Sequence, residues 1–422
     1  MLSLFEIVAV LLALTAAFAW LNHVLFGLPN QIGLLIMALA ASLVLVGFEL
    51  LFPNSPIFHE ISDLLRRIDF SETPLNGMLG FLLFAGALQI DLSRLRARKW
   101  IVATMATVGV FISTVLIAAG FWYAARLFDV PMPFAWALVF GALISPTDPI
   151  AVLSTLKTIS IPETLEMDIS GESLFNDGVG VVLFTLLLTA ATTASGEFEL
   201  VHFGELFVVE AGGGALLGLV TGYVAYRAMR AIDDYPIEVL ISIALATGTY
   251  ALALRLHVSG PIAVVVSGVL IGNRGAKLAM SEQTRRYLFG FWTLIDEILN
   301  SVLFLLIGIE VLVLSFDPTL APLALAAIPI VMMARLISVA APIGLLSLRY
   351  HFERGTVTIL TWGGVCGGIS VALVLAISDN EHRSALAAAT YTVALFTIVV
   401  QGLSLGWVAR RLGVGQPKPS PK

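Results

Sequence analysis

Long runs of apolar residues follow one another along this chain, separated only by short polar stretches. A bilayer core about 30 Å thick takes roughly 20 helical residues to cross. Thirteen runs are read as crossings, near 4–27, 31–51, 75–91, 101–125, 132–157, 169–192, 206–229, 236–255, 259–271, 286–314, 320–348, 355–378 and 384–408, the ninth being the shortest. Backbone groups in hydrocarbon must be satisfied within the segment, so the predicted fold is an all-α polytopic membrane protein. Every loop is too short for a soluble domain, which leaves one transmembrane domain over 1–408. Residues 409–422 end in "GQPKPSPK" and read as a short disordered tail. The first run lacks a basic n-region and a small-residue cleavage site, so it is predicted to be a retained span rather than a signal peptide.

Two of the thirteen segments carry helix breakers. Segment 5 holds "GALISPTDPIAVLS", in which Pro146 and Pro149 cannot both sit in an unbroken helix. Segment 12 holds "TWGGVCGGIS", where clustered glycines can unwind a span. Pro and Gly kinks are ordinary in membrane helices, but these two lie seven segments apart. With segments 1–6 and 8–13 as two six-helix repeats joined by segment 7, each is the fifth of its repeat, and the odd offset inverts one repeat relative to the other. Interrupted helices in matching positions of inverted repeats point to a transporter's midplane site.

Composition agrees with a membrane protein: 58% of residues are hydrophobic and 12% charged, with a mean hydropathy of +0.96. Soluble domains carry roughly twice that charged fraction. A net charge of −6 does not suggest a nucleic-acid partner, and the single cysteine, Cys366, excludes an intrachain disulfide. Loops after odd-numbered segments, with the C-terminus, hold 17 of the 23 Lys and Arg residues. The positive-inside rule then predicts the N-terminus outside and the C-terminus in the cytoplasm. The six histidines lie mostly in or beside loops without metal-ligand spacing and are read as solvated.

The candidate chemistry lies in segments 5 and 6. Segment 6 opens with "DISGESLFNDGVGVV", placing Ser173, Asn176 and Asp177 on one helix face. Counting along each helix from its inner end sets Asp148 and Asp177 roughly 12–14 Å deep, near the bilayer middle. A buried carboxylate there costs several kcal/mol unless it is paired, protonated or cation-bound. A group that holds either a proton or a cation, and faces each side in turn, performs exchange. Carboxylate, hydroxyl, amide and unwound backbone oxygens suit a small hard cation such as Na⁺ or Li⁺ rather than a soft metal. No cofactor is predicted; cations and protons are cargo. A lone intramembrane Ser usually bonds its own helix, and Ser173 is singled out because it lies one turn before Asp177. Arg335, mid-segment 11, needs an acidic partner, either Glu172 or an acid of segment 10. Asp296 and Glu297 of segment 10 are read as dimer contacts, partners of Arg335, or an entry funnel.

An intramembrane aspartyl protease would also pair two aspartates, but it would want "YD" and "GxGD" signatures that do not occur here. A channel gains nothing from a titratable site in broken helices. K⁺/H⁺ exchange is the nearest alternative to Na⁺/H⁺ exchange, because selectivity rests on small differences in ligand spacing.

"SPTDPIAVL" followed by "GESLFNDGVGVVLF" resembles the paired motifs of the monovalent cation:proton antiporter-1 family, the NhaP-type sodium/proton antiporters. "LNSVLFLLIGIEV" and "LTWGGVCGGISVALVLAIS" extend the resemblance from about segment 3 to segment 12. It implies a homodimer in a prokaryotic cell membrane. It also implies a core bundle, about 101–192 and 320–408, moving against a dimer or scaffold part, about 1–100 and 206–314. Asp177 becomes the main ion and proton carrier, with Asp148, Ser173 and the main chain at Thr147 as further ligands. Asn176 matches the "ND" pair that goes with electroneutral exchange, and Glu172 with Arg335 matches a pair that braces the core. Counting by helix rise leaves that pair about 14 Å apart along the membrane normal. Two residues depart from the family pattern: Ala85 stands where an acid is common, with Gln89 or Asp91 nearby, and Cys366 stands where Arg is common. The lack of a long hydrophilic tail points to a prokaryotic protein.

Overall fold

Thirteen crossings, α1–α13, are formed among the residues described by the computed structural model, 4–51, 72–156, 159–193, 200–310, 317–414 and 416–417. α1 (Leu4–Leu21, continued by a π turn Asn22–Phe26), α2 (Asn30–Leu51) and α3 (Glu72–Gln89) lead into α4 (Leu92–Thr104, a π turn Met105–Gly109, then Val110–Leu127). α5 is broken into Phe134–Ile144 and Pro149–Leu156, and α6 (Glu163–Thr192) follows. α7 (Leu200–Met229), α8 (Tyr235–Arg255), α9 (Gly260–Leu270, with a π turn Ile271–Gly275) and α10 (Glu282–Glu310) form the middle of the chain. α11 (Pro318–Leu320 as a 3₁₀ turn, then Ala321–Leu346) precedes α12, broken into Thr356–Trp362 and Gly368–Leu375. α13 (Arg383–Phe396, a π turn Thr397–Gln401, Gly402–Arg411) ends the bundle. Nine of these are long and apolar enough to cross unaided; the others are the short α3 and α9 and the two broken segments.

Several helices start earlier than their apolar runs. α6 begins at Glu163 rather than near 169, with Glu163 and Glu166 in a first turn whose free N–H groups favour acids. α4 begins at Leu92 rather than near 101, because Asp91 caps it by accepting a hydrogen bond from Ser93 N at 2.8 Å. The basic run "RLRARK" is therefore helix and not loop. Such polar turns project beyond the hydrocarbon, where hydropathy no longer marks the helix. At the other end α13 runs through Arg411, into the stretch read as tail. Gln416–Pro417 pairs antiparallel with Ile159–Ser160 just after α5, in the register Ile159↔Pro417. The rest of the expected tail, 415 and 418–422, lies outside the described residues, as do Arg66 and Arg67 of the loop after α2.

Large apolar side chains such as Trp20, Leu43, Val208, Leu216 and Leu240 point outward, the arrangement expected where lipid is the solvent. Inside, the buried apolar residues of α4–α6 and α11–α13 form one cluster, joined by Ile32 and Leu35 of α2 and by Phe304 and Ile307 of α10. A second cluster belongs to α3 and α7–α10, centred on Trp292, Phe84 and Tyr250. A small third one, with Leu83, Val102, Leu174 and Val265, lies between them. His382, read as solvated, is instead buried at 7% exposure against the ring of Trp136.

Candidate functional site

Proline sets the first interruption. Helix stops after Ile144, Ser145 to Asp148 run unwound, and Pro149, which needs no N–H partner, opens the second half. Glycine sets the second, with Gly363 to Gly367 outside the helix. Unwound backbone in a membrane leaves N–H and C=O groups without helical partners, and here the two breaks satisfy one another. Asp148 N donates to Val365 O at 2.8 Å. The Cys366 N–H goes to Thr397 Oγ1 at 3.1 Å, in the π turn of α13. The crossing is so close that a Cβ on Gly367 would collide with the side chain of Asp148. Gly180 of α6 likewise leaves room for the ring of Pro146.

α6 lies alongside this crossing. Asn176 Nδ2 donates to Thr147 Oγ1 at 3.0 Å, and Thr147 N donates to Asn176 Oδ1 at 3.4 Å. Both groups of the amide thus help to hold the α5 break, and its oxygen, expected among the cation's donors, keeps a second lone pair. Ser173 Oγ is 3.3 Å from Thr147 Oγ1. Asp177 is buried one turn beyond Ser173, close enough to Asp148 for the two charges to repel.

Two ion pairs flank the site on the same face of α6. Glu172 Oε1 and Arg335 Nη1 of α11 are 2.6 Å apart, with side chains 2% and 11% exposed. The gap counted along the helices closes because α6 starts six residues earlier than its apolar run. Glu172 then lies nine residues into α6 and Arg335 eleven from the end of α11, about 3 Å apart in depth. Arg335 Nη2 also donates to Leu360 O at 3.3 Å, near the end of the first half of α12. One turn before Glu172, Asp168 is gripped by Arg98 of α4, with Nε to Oδ1 at 2.8 Å and Nη2 to Oδ2. Sequence reasoning missed this pair. Asp168, Glu172 and Asn176 recur every fourth residue, and that spacing was the available signal.

A cavity of about 520 Å³ leads to the site. Its mouth is lined by Asp91, Arg94, Glu163 and Glu166, and its inner end by Asp148 and Asp177. Asp296 and Glu297 line it too, where an entry funnel would put them, and Arg335 is taken by Glu172 rather than by either of them. Asn300 Nδ2 donates to Asp296 Oδ1 at 3.1 Å. Gln89 and Asp91 also border the cavity, while Ala85 is packed in the second apolar cluster. Hydrogen bonds from the Ser93 hydroxyl and N–H hold the exposed Asp91 carboxyl below its usual range, so it is charged at neutral pH. A second cavity of about 470 Å³, bordered by Glu210, Tyr250 and His257, lies at the opposite end of α3. Leu82, Leu303, Gly368 and Ile369 line both cavities and so form the partition between them.

The profile of the family described as "Sodium/hydrogen exchanger, transmembrane" matches residues 10–411. The Na(+)/H(+) antiporter NhaP of Pseudomonas aeruginosa is 45% identical over 418 residues, covering 98% of each chain. The Na(+)/H(+) antiporter NhaH of Halobacillus aidingensis is 36% identical over 386 residues, 89% of this chain and 92% of that one. In fold, the chain is similar to the sodium proton antiporter MjNhaP1 from Methanocaldococcus jannaschii at pH 8, with a TM-score of 0.76 at 19% identity. That match covers 97% of this chain and 98% of the other.

Proposed function

The chain belongs to the sodium/hydrogen exchanger family, a multi-pass membrane protein, and we propose that it exchanges Na⁺ (or Li⁺) for H⁺ across the cell membrane. Cation and proton compete for Asp177, and alternating access exposes that carboxylate to each side in turn. The observation that carries this reading is the buried crossing of α5 and α12, with Asp148 and Asp177 together at the inner end of a single cavity. Two carboxylates in a low-dielectric site repel one another, and a bound Na⁺ or a proton relieves that repulsion equally well. Either ligand alone brings the pair from two negative charges to one. Loaded with one Na⁺ or with one H⁺, the site carries the same charge, which supports electroneutral exchange.

In the mechanism, Ser173 and the main chain at Thr147 complete the oxygen set around Asp177 and Asp148. Asn176 acts by keeping the α5 break open at the right spacing. The Glu172–Arg335 pair ties α6 to α11 and to the first half of α12. The cavity mouth lies among the loops that the count of basic residues assigns to the cytoplasm, so this is an inward-open state with the N-terminus outside. The acids at the mouth gather cations by long-range attraction. Leu82, Leu303 and Ile369 keep water and ions from passing to the second cavity until the core moves. A homodimer in a prokaryotic cell membrane completes the proposal, with α4–α6 and α11–α13 as the moving core and α13 ending in the cytoplasm.

The test is dissipation of a pH gradient in everted vesicles from cells lacking their own antiporters. Na⁺ and Li⁺ collapse the gradient, and Asp177→Asn abolishes the response while the protein still reaches the membrane. A gradient collapsed equally by K⁺ makes the chain a non-selective exchanger, and full activity in Asp177→Asn removes Asp177 from the centre of the reaction.

A further inference from the structure

Ser370 lies in the first turn of the second half of α12, three residues beyond Gly367, on the wall of the cavity that Asp148 and Asp177 also line. Its side chain is 1% exposed, and its Oγ has no hydrogen-bond partner. That is unusual for a buried helical hydroxyl, which ordinarily donates to the carbonyl one turn back. Thr15 does so to Leu11 O, Ser145 to Gly141 O and Thr390 to Leu386 O. For Ser370 the residue four back is Cys366, in the unwound stretch, so its carbonyl is not held where a helix would present it. An unpaired buried hydroxyl is destabilising, and a ligand in the cavity would remove that cost.

Both groups of the Asn176 amide are hydrogen-bonded to Thr147, which leaves its oxygen one lone pair at most for a cation. Asp148, Asp177 and Ser173 all come from α5 and α6. Hard cations are held by several oxygens at once, and α12 meets the site at Gly367, which abuts the Asp148 side chain. Ser370, on the next turn of α12, lines the same cavity as both carboxylates.

We infer that Ser370 Oγ is a direct ligand of the transported cation, supplied by the second interrupted helix, and therefore helps to set the choice among monovalent cations. This rests on the exchange reading above. The test uses the full chain reconstituted in liposomes with a trapped pH dye, comparing the wild type with Ser370→Ala and Ser370→Cys. Loss of one neutral oxygen ligand raises the apparent KM for Na⁺ and Li⁺ about tenfold with Vmax little changed. The thiol is a poor donor to Na⁺ and Li⁺ but a good one to the softer Tl⁺. Ser370→Cys therefore weakens Na⁺ and Li⁺ as the alanine variant does, while Tl⁺ becomes a stronger inhibitor of Na⁺-driven exchange than in the wild type. Unchanged Na⁺ and Li⁺ constants in both variants, or equal weakening of all three cations in the cysteine variant, overturns the ligand role and leaves only packing. A wild-type protein that responds to no cation overturns the exchange reading, and the inference with it; an active wild type with indifferent variants overturns the inference alone.

Discussion

Removing Arg335 while leaving Glu172 in place tests the bracing of α6 directly. The two charges are 2.6 Å apart and nearly sealed from solvent. At an effective dielectric constant of 20, their attraction is about 6 kcal/mol. Desolvating each ion costs several kcal/mol, so the intact pair contributes little net stability. Taking away one member changes the balance, because the other charge stays buried and uncompensated, at a cost of about 3–5 kcal/mol. Arg335→Ala also frees Leu360 O near the end of a short half-helix. The expected outcome for Arg335→Ala or Glu172→Gln is a melting temperature in detergent several degrees below the wild type, read by tryptophan fluorescence. The double variant Glu172→Leu with Arg335→Met removes both charges and recovers most of the loss, since an apolar pair of similar volume is often as stable as a buried ion pair. The reasoning is refuted if the single variants melt with the wild type, as a solvent-exposed pair worth under about 1 kcal/mol would. It is refuted as well if the double variant is no better than either single one.

Gly367→Ala drives a methyl group into the Asp148 side chain; vesicle exchange falls sharply while the protein still inserts, and near-normal exchange would mean that the crossing is looser than described. Asn176→Leu removes both hydrogen bonds to Thr147 and costs about 2–4 kcal/mol at roughly 1–2 per buried bond, measured as a fall in detergent melting temperature together with a lower exchange rate. Competition of Na⁺ and H⁺ for one carboxylate makes the apparent KM for Na⁺ rise as pH falls, by at most about tenfold per unit; a KM independent of pH over several units would exclude a shared site. Asp168→Asn leaves Arg98, with a side chain 14% exposed, facing a neutral partner, and is expected to destabilise more than Glu163→Gln, whose partner Arg94 is half exposed.

Both interruptions were legible in the sequence, because proline and glycine act on the backbone where they stand. The thirteen crossings were legible for a similar reason: hydropathy reports the solvent around each segment. The starts of α4 and α6 were not, since their first turns are polar and stand clear of the hydrocarbon. Misplacing the start of α6 left Glu172 too shallow to meet Arg335 by count. The partner of Arg98 was hidden for another reason. Within "RLRARK" its charge read as an orientation signal, and only the helical direction of α4 from Leu92 turns one of those arginines toward Asp168. The engagement of Asn176 depends on where the unwound Thr147 points its N–H and hydroxyl, a consequence of two helices meeting rather than of either alone. Nothing in "GGISVALV" distinguishes Ser370 from any helical serine until the chain before it is seen to be unwound.

The ladder on α6 has a consequence for movement. Asp168, Glu172 and Asn176 fasten this one helix to α4, α11 and α5, and the bond from Asp148 to Val365 adds α12. These are directional attachments that resist sliding. Toward α3 and α9 the same helix offers Leu174 against Gly86 and Gly178 against Ile262, contacts of simple touch. Apolar surfaces can shift by a residue without breaking anything that must be remade in water. The boundary between bonded and merely touching neighbours is where the proposed motion would meet least resistance. Asp177 lies on the bonded side of it, so the core motion proposed above would carry Asp177 together with the helices bonded to α6.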